Sequence, residues 1–222
     1  MLEFSEALAD LEKWGSGKGL LVYGNGEDFC SGGDRDTMYG IANEKKAKMM
    51  SEFMHQNLLK LRNLPLLTGC VVHGRAIGGG AELTASTDFR LFTSSGIVMF
   101  VQARMGVVSG WGGGTMLSGI LGYPKALNIF TTCDKITADT AERIGYSSAT
   151  VCDSEKGITE SEKWLSFRTR HSQQVIRGFK SILLNAQVKN LEESLKLERD
   201  IFTPIFEGPT SHLAAGTKVK HN

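Results

Sequence analysis

The sequence predicts an α/β fold, and three observations predict it. Short apolar runs of the kind buried on both faces, "LLVYG" at 20–24 and "LLTGCVVHG" at 66–74, mark strands. Longer stretches with apolar residues at helical spacing lie between and after them, and alternating strands and helices argue α/β. The 26 glycines of this 222-residue chain gather at the junctions, too many and too clustered for a helix bundle.

Each element follows from its local pattern. "MLEFSEALADLEKW" sets Phe4, Leu8, Leu11 and Trp14 on one stripe among Glu3, Glu6, Asp10 and Glu12, an acidic amphipathic helix. Secretory and transit leaders are basic, so the cytosol is the expected compartment. The turn "GSGKG" feeds the first strand, and "NGEDFCSGGD" is a polar loop. Residues 41–63 read as a helix with Met49, Met50, Phe53, Met54, Leu58 and Leu61 inward, stopped before Pro65. After the second strand, a glycine triplet opens a short helix to about Ser86, and "DFRLFTS" and "IVMFVQ" are strands around an "SSG" turn. "MGVVSGWGGG" is a glycine-rich loop leading to short helices. In "ITADTAERIG", Thr137 is the expected N-cap and Gly145 the C-cap. "SATVCD" is a weak last strand, and from about Glu155 the pattern is helical to "IFEGPTSH", with a frayed tail. The chain thus divides into an α/β core over residues 1–150 and a C-terminal helical region over 151–222.

Composition narrows the functions. A net charge of +1 gives no reason to expect nucleic acid as a partner, and no apolar run approaches the roughly 18 residues that cross a bilayer. Cys30, Cys70, Cys133 and Cys152 have no CxxC spacing, and the five histidines form no HExxH or HxxxH pair, so reduced thiols and no metal site are expected. No GxGxxG follows the first strand and GxxxxGK[ST] is absent, which disfavours nucleotide cofactors.

The stretch "VVHGRAIGGGAELTAS", residues 71–86, carries the chemistry. A helix N-terminus leaves backbone N–H groups unpaired, and glycine lets an oxygen approach them without a Cβ in the way. That is what an oxyanion hole requires. Glu82 falls one turn after Gly79 and can border the same pocket. Upstream, "FCSGGD" exposes the amides of Gly32 and Gly33 in a loop after a strand, at the sheet edge where α/β folds bind ligands. The plainer alternative is a glycine-rich turn that permits close packing, with Glu82 on a solvated helix face. His73 then reads as a hydrogen-bonded structural residue, and the methionines at 49–54 as core.

Taken together, "FCSGGD", "VHGRAIGGGAEL", "TDFRLFT" and "MGVVSGWGGG", in this order between about Gly17 and Pro209, resemble the crotonase (enoyl-CoA hydratase/isomerase) superfamily. The resemblance implies a crotonase-like spiral of ββα units, assembled as homotrimers or hexamers through the C-terminal helices. It implies an acyl-CoA thioester substrate, with no cofactor beyond the CoA of that substrate. It assigns the oxyanion hole to the amides of Gly33 and Gly79, and acid–base work to Glu82. Ser31, Gly32, Asp34, Gly78, Trp111 and Gln102 are the implied substrate contacts.

The departures are informative. Hydratases of the family use a second glutamate where this sequence has Gln102, with Arg104 two residues on, and Ser109 stands in place of a usual proline. A syn hydration that needs two carboxylates is therefore disfavoured, whereas decarboxylation remains open. More narrowly, "FCSGGD", "FVQARMGVV", the tryptophan of "SGWGGG" and "QQVIRGFKS" resemble a branch that removes CO2 from ethylmalonyl-CoA, and more weakly from methylmalonyl-CoA, as a cytosolic repair of metabolites. Family members carry two antiparallel strands and an adenine-contacting segment ahead of the helix at which Met1 falls. The expectation is therefore a shortened N-terminus. An enoyl-CoA hydratase or isomerase, or a truncated non-catalytic acyl-CoA-binding subunit, are the alternatives.

Overall fold

The computed structural model describes residues 1–40, 43–153 and 155–208. Helix α1 (Leu2–Lys13) precedes strand β1 (Gly19–Val22), and two helices, α2 (Arg35–Gly40) and α3 (Glu44–Asn63), follow it. The next unit is β2 (Leu67–Val72), β3 (Arg75–Ile77) and α4 (Gly79–Ala85). A third runs β4 (Phe89–Phe92), β5 (Ile97–Met99), a 3₁₀ turn over Gln102–Met105, α5 (Gly113–Leu121) and α6 (Tyr123–Thr132). Strand β6 (Ile136–Thr137), α7 (Ala138–Ile144) and β7 (Ala149–Thr150) close the core, and α8 (Glu155–Arg168), α9 (Gln173–Ala186) and α10 (Leu191–Phe206) complete it.

The strands fall into two sheets, and every repeat after the first contributes one strand to each. The first sheet runs β1-β2-β4-β7, all parallel, and the second runs β3-β5-β6. A parallel bridge from Cys30 to Ala76 attaches the "FCSGGD" loop to the second sheet beside β3. This is the ββα spiral expected above. Side chains alternate across β2: Cys70 and Val72 join Phe92, Leu117 and Tyr146 in the largest core cluster, while Val71 faces Leu91, Val151 and Trp164 on the other side. Covered on both faces, these strands read as unbroken apolar runs.

Several boundaries differ from the sequence reading, each for a physical reason. The run "LLTGCVVHG" holds one strand, β2, as expected, but a short further strand, β3, follows it where none was read. Gly74 turns the chain at φ +55, and a Cβ there would lie 2.0 Å from the Glu27 carbonyl oxygen, so β3 begins anew after it. Met54 is buried as expected, but Met49 is 61% exposed and Met50 faces the cavity described below, because α3 buries only one stripe. The start of the expected helix, residues 41 and 42, lies outside the described residues. Thr137 and Gly145 act as predicted: the Thr137 side chain accepts from the Thr140 N–H, and Gly145 ends α7 at φ +82. The C-terminal helical run is broken twice, at Ser172 and Asn190, whose side chains cap α9 and α10 by accepting from Val175 N–H and Glu193 N–H. The expected frayed tail from residue 209 onward lies outside the described residues.

Helix α9 is fastened to the sheet by an ion pair. The Lys180 ammonium, 5% exposed, donates to the Leu66 carbonyl at 2.7 Å and to Asp88 Oδ2 at 2.8 Å. The same Asp88 oxygen accepts from Thr68 N–H at 2.7 Å and from its hydroxyl at 3.0 Å. Burial lowers the Lys180 pKa, and the Asp88 carboxylate opposes the shift.

Candidate active site

The three consecutive glycines answer to three different constraints. Gly78 adopts φ +57 and ψ −114 at the entrance to α4, a conformation that L side chains rarely take. A Cβ on Gly79 would lie 2.1–2.7 Å from ring carbons of Trp111, so the indole rests directly on this backbone. A Cβ on Gly80 would lie 2.1 Å from the Cys30 carbonyl oxygen. Close packing is therefore real here, and its effect is to press "FCSGGD" and Trp111 onto the start of α4. Gly32, at φ +91, completes the junction: its Cβ would stand 3.1 Å from the Gly79 nitrogen and 2.6 Å from the Ile77 carbonyl oxygen.

Around this junction lies a cavity of about 310 Å³. Ser31, Gly33, Gly78, Gly79, Glu82, Gln102 and Trp111 line it, so seven of the nine residues singled out from the sequence meet in one place. Gly32 sits behind the lining. Asp34 does not reach the cavity: its carboxylate accepts from the Thr37 N–H at 2.8 Å and caps α2, and the Thr37 side chain, then this N–H, lower its pKa. The remaining walls were not anticipated. Ala47, Met50 and Ser51 come from α3, and Met105, Val107 and Val108 from the segment after β5. The i, i+3, i+4 spacing of the first three was a legible face of the helix, but the methionine stripe drew the reading toward core. Trp111 Nε1 lies 3.1 Å from Met50 Sδ, and the Ser51 hydroxyl donates to the Gly110 carbonyl, so α3 closes one side.

Glu82 is not solvated; it is 2% exposed. Its Oε1 accepts from Gln102 Nε2 at 2.8 Å. Its Oε2 accepts from the Ser109 hydroxyl, Trp111 N–H and Gly113 N–H, each at 2.9 Å. Gly113 is a glycine for this reason, since a Cβ there would lie 2.5 Å from Glu82 Cγ. Ser109 in turn accepts from Gly114 N–H at 2.9 Å, which aims its single proton at the carboxylate. Ser109, expected above to stand in place of a proline, thus contributes a donor that a proline could not.

Gln102, expected above to stand where hydratases of the family carry a second glutamate, lines the cavity and holds no charge. It is 7% exposed, and its Oε1 has no hydrogen-bond partner among the described residues. Such an orphan acceptor costs about 1–3 kcal/mol. Arg104 turns away and donates to the Cys133 carbonyl at 2.8 Å. Glu82 is therefore the only ionisable side chain among the described residues that line the cavity. Thiol chemistry finds no support at Cys70, whose pKa burial pushes up to about 11. The loop ahead of the site is clasped to β3, where Asp28 accepts from Arg75 Nε and N–H at 2.9 Å. Arg75 holds the Asp28 carboxyl below its ordinary range.

Sequence comparison now adds the lineage. The model for the family described as enoyl-CoA hydratase/isomerase matches residues 1–216. The chain belongs to the enoyl-CoA hydratase/isomerase family. It is 37% identical to ethylmalonyl-CoA decarboxylase of Danio rerio over 100% of its own length and 74% of that relative's. It is 35% identical to the protein of the same name from Xenopus laevis, over 99% of this chain and 75% of that one. Among solved structures, an enoyl-CoA hydratase from Bacillus anthracis superposes with a TM-score of 0.89 at 21% identity, covering 96% of this chain and 83% of that one. An enoyl-CoA hydratase from Thermoplasma volcanium gives 0.87 at 20% identity, covering 98% and 86%. These structures establish the crotonase fold, including its helical C-terminus. Membership in the family associates the protein with acyl-CoA chemistry, and among the described residues no helix is long and apolar enough to cross a membrane.

Proposed function

We propose that the protein is a carboxy-lyase that removes CO2 from ethylmalonyl-CoA and, more slowly, from methylmalonyl-CoA. The observation that carries this reading is the composition of the cavity: one carboxylate, Glu82, opposed by a neutral Gln102, on a chain whose relatives are named ethylmalonyl-CoA decarboxylase. Hydration by a pair of carboxylates lacks its second member. Decarboxylation needs an electron sink and one proton.

In this mechanism the thioester carbonyl rests against the amides of Gly33 and Gly79. As the C–CO2 bond breaks, its electron pair moves onto that oxygen as an enolate. A donor of this kind is worth ~3 kcal/mol of barrier where one has been removed from another enzyme. Support comes from the close packing of the two glycine-bearing bends, with both Gly33 and Gly79 on the cavity wall. Glu82, directly or through a water, delivers the proton to Cα. Trp111, Met50 and Val107 give the branch of the acyl chain an apolar wall. This reading places the reaction among cytosolic repairs of acyl-CoA metabolites. Assembly into trimers or hexamers belongs to the same reading, supported by exposed apolar side chains on the C-terminal helices, Phe179, Leu183, Leu195 and Phe202.

The test is incubation of the purified protein with ethylmalonyl-CoA in D2O. The expected product is the acyl-CoA one CO2 lighter, carrying a single solvent deuterium at Cα. Recovery of unchanged thioester would remove the carboxy-lyase.

A further inference from the structure

A second cavity, of about 280 Å³, lies at the far end of α3, where Arg62, Asp88, Arg90 and Lys180 all reach its wall. It shares no lining residue with the cavity of Glu82. Arg62 and Ser51 stand about 16 Å apart along α3 at a rise of 1.5 Å per residue.

The charges on this wall do not balance, because three cations meet one carboxylate. Asp88 is committed: its Oδ2 accepts from Lys180 Nζ at 2.8 Å and from the Thr68 N–H and hydroxyl. Lys180 gives a second proton to the Leu66 carbonyl, which leaves it one donor. Arg90, 6% exposed, donates to the backbone carbonyls of Tyr146, Thr84, Thr87 and Asp88. Carbonyl dipoles satisfy its N–H groups without cancelling its charge. Arg62 is half-buried, and among the described residues its guanidinium donates only from Nη2, to the neutral Gln187 Oε1. Burial lowers the Arg62 pKa, Asp88 opposes the shift, and Arg90 adds to it; Arg62 in turn is among the groups that lower Lys180. Arg62 thus feels both of the other cations.

Cations without counter-charge in a recess of low dielectric raise the energy of the fold, and an anion that enters lowers it. A planar guanidinium with free N–H groups meets an oxyanion through two parallel hydrogen bonds. Ile120, Phe179 and Leu183 add apolar wall, the last two each 63% exposed. The volume is near the lower end of small-molecule sites. We propose that this cavity is a second ligand site, for a small molecule that carries one oxyanion group, carboxylate or phosphate, on a short apolar body. Arg62 supplies the fork that grips the oxyanion, Lys180 and Arg90 supply positive field from behind it, and the apolar body lies against Phe179 and Leu183. The inference stands apart from the proposed function, since no residue of the Glu82 cavity takes part.

The test uses the full chain at constant ionic strength, with hexanoate, hexyl phosphate and hexan-1-ol as probes, read by calorimetry and by Tm. At least one of the two anions should bind and raise Tm, the tighter one identifying the head group, and hexan-1-ol should do neither. Arg62→Met keeps the apolar stem and should weaken the anion by about tenfold or more, while Arg62→Lys should restore part of the affinity. Equal binding of hexan-1-ol would show an apolar recess and overturn the site. Anion binding that Arg62→Met leaves unchanged would overturn it as well. So would silence from both anions; if Arg62→Met then also weakens self-association in sedimentation, the counter-charge is an acidic side chain of a second copy.

Discussion

Glu82 is held by more donors than any surface acid receives, and that arrangement makes its replacement diagnostic. Glu82→Gln keeps the shape but removes the transferable proton, and decarboxylation should fall by about 100-fold or more, the usual scale for a general acid. Unchanged turnover, measured by product mass, would remove Glu82 from the chemistry. Ser109→Ala withdraws one donor from Oε2 and strands the Gly114 N–H. We expect kcat to drop by about tenfold with KM nearly constant, and Ser109→Thr to restore part of it. Gly79→Ala forces a methyl into the Trp111 ring, 2.1 Å away at the nearest carbon. Overpacking of this kind costs about 1–3 kcal/mol, and the displaced indole should report it as a change in tryptophan fluorescence together with a lower Tm. Gly33, Gly79, Glu82 and Gln102 were legible in the sequence because ordered motifs carry them. The role of Ser109 was not, because its bond to Glu82 spans 27 residues and local spacing holds no record of it.

At the scale of elements, the site depends on loops that are clasped to strands. Asp28 ties the "FCSGGD" loop to β3 through Arg75, and Asp153 ties the segment after β7 to the β4–β5 turn by accepting from the Ser94 and Ser95 hydroxyls. Both carboxyls are held below their ordinary values, Asp28 by Arg75 and Asp153, to about 2, by the two serines. A depressed carboxylate contributes stability that is complete above its unfolded value and is lost as pH falls through the folded one. The acid limb of a stability–pH curve should therefore flatten between about pH 4 and 2 in the Asp28→Asn, Asp153→Asn double variant. A limb identical to wild type would show that neither clasp matters. Elements with a strong period were legible: α1, α3 and β2 follow from apolar spacing, and α7 from its caps. β7 was legible too, inside the weak strand "SATVCD", but the two-residue strand β6 and the short β3 after Gly74 were not. Their pairing is decided by distant partners, and Gly74 turns only because the Glu27 carbonyl occupies the space where a side chain would go.

For the whole molecule, the spiral brings bends separated by more than forty residues in sequence, at Gly33 and Gly79, to a single cavity, and α9 holds that arrangement from outside the sheet. Lys180→Met leaves Asp88 partly buried without its cation, and removing one partner of such a pair costs about 3–5 kcal/mol. The midpoint of urea unfolding should fall accordingly. Self-association is a separate expectation, and sedimentation should show a trimer or hexamer that Phe179→Glu weakens.

The central claim is that this cavity releases CO2 from a branched malonyl thioester. Its most direct test is a single incubation with equal amounts of ethylmalonyl-, methylmalonyl- and crotonyl-CoA, with products read by mass. The account predicts loss of CO2 from ethylmalonyl-CoA first, then from methylmalonyl-CoA, with crotonyl-CoA untouched. Addition of water to crotonyl-CoA while both malonyl thioesters persist would contradict it.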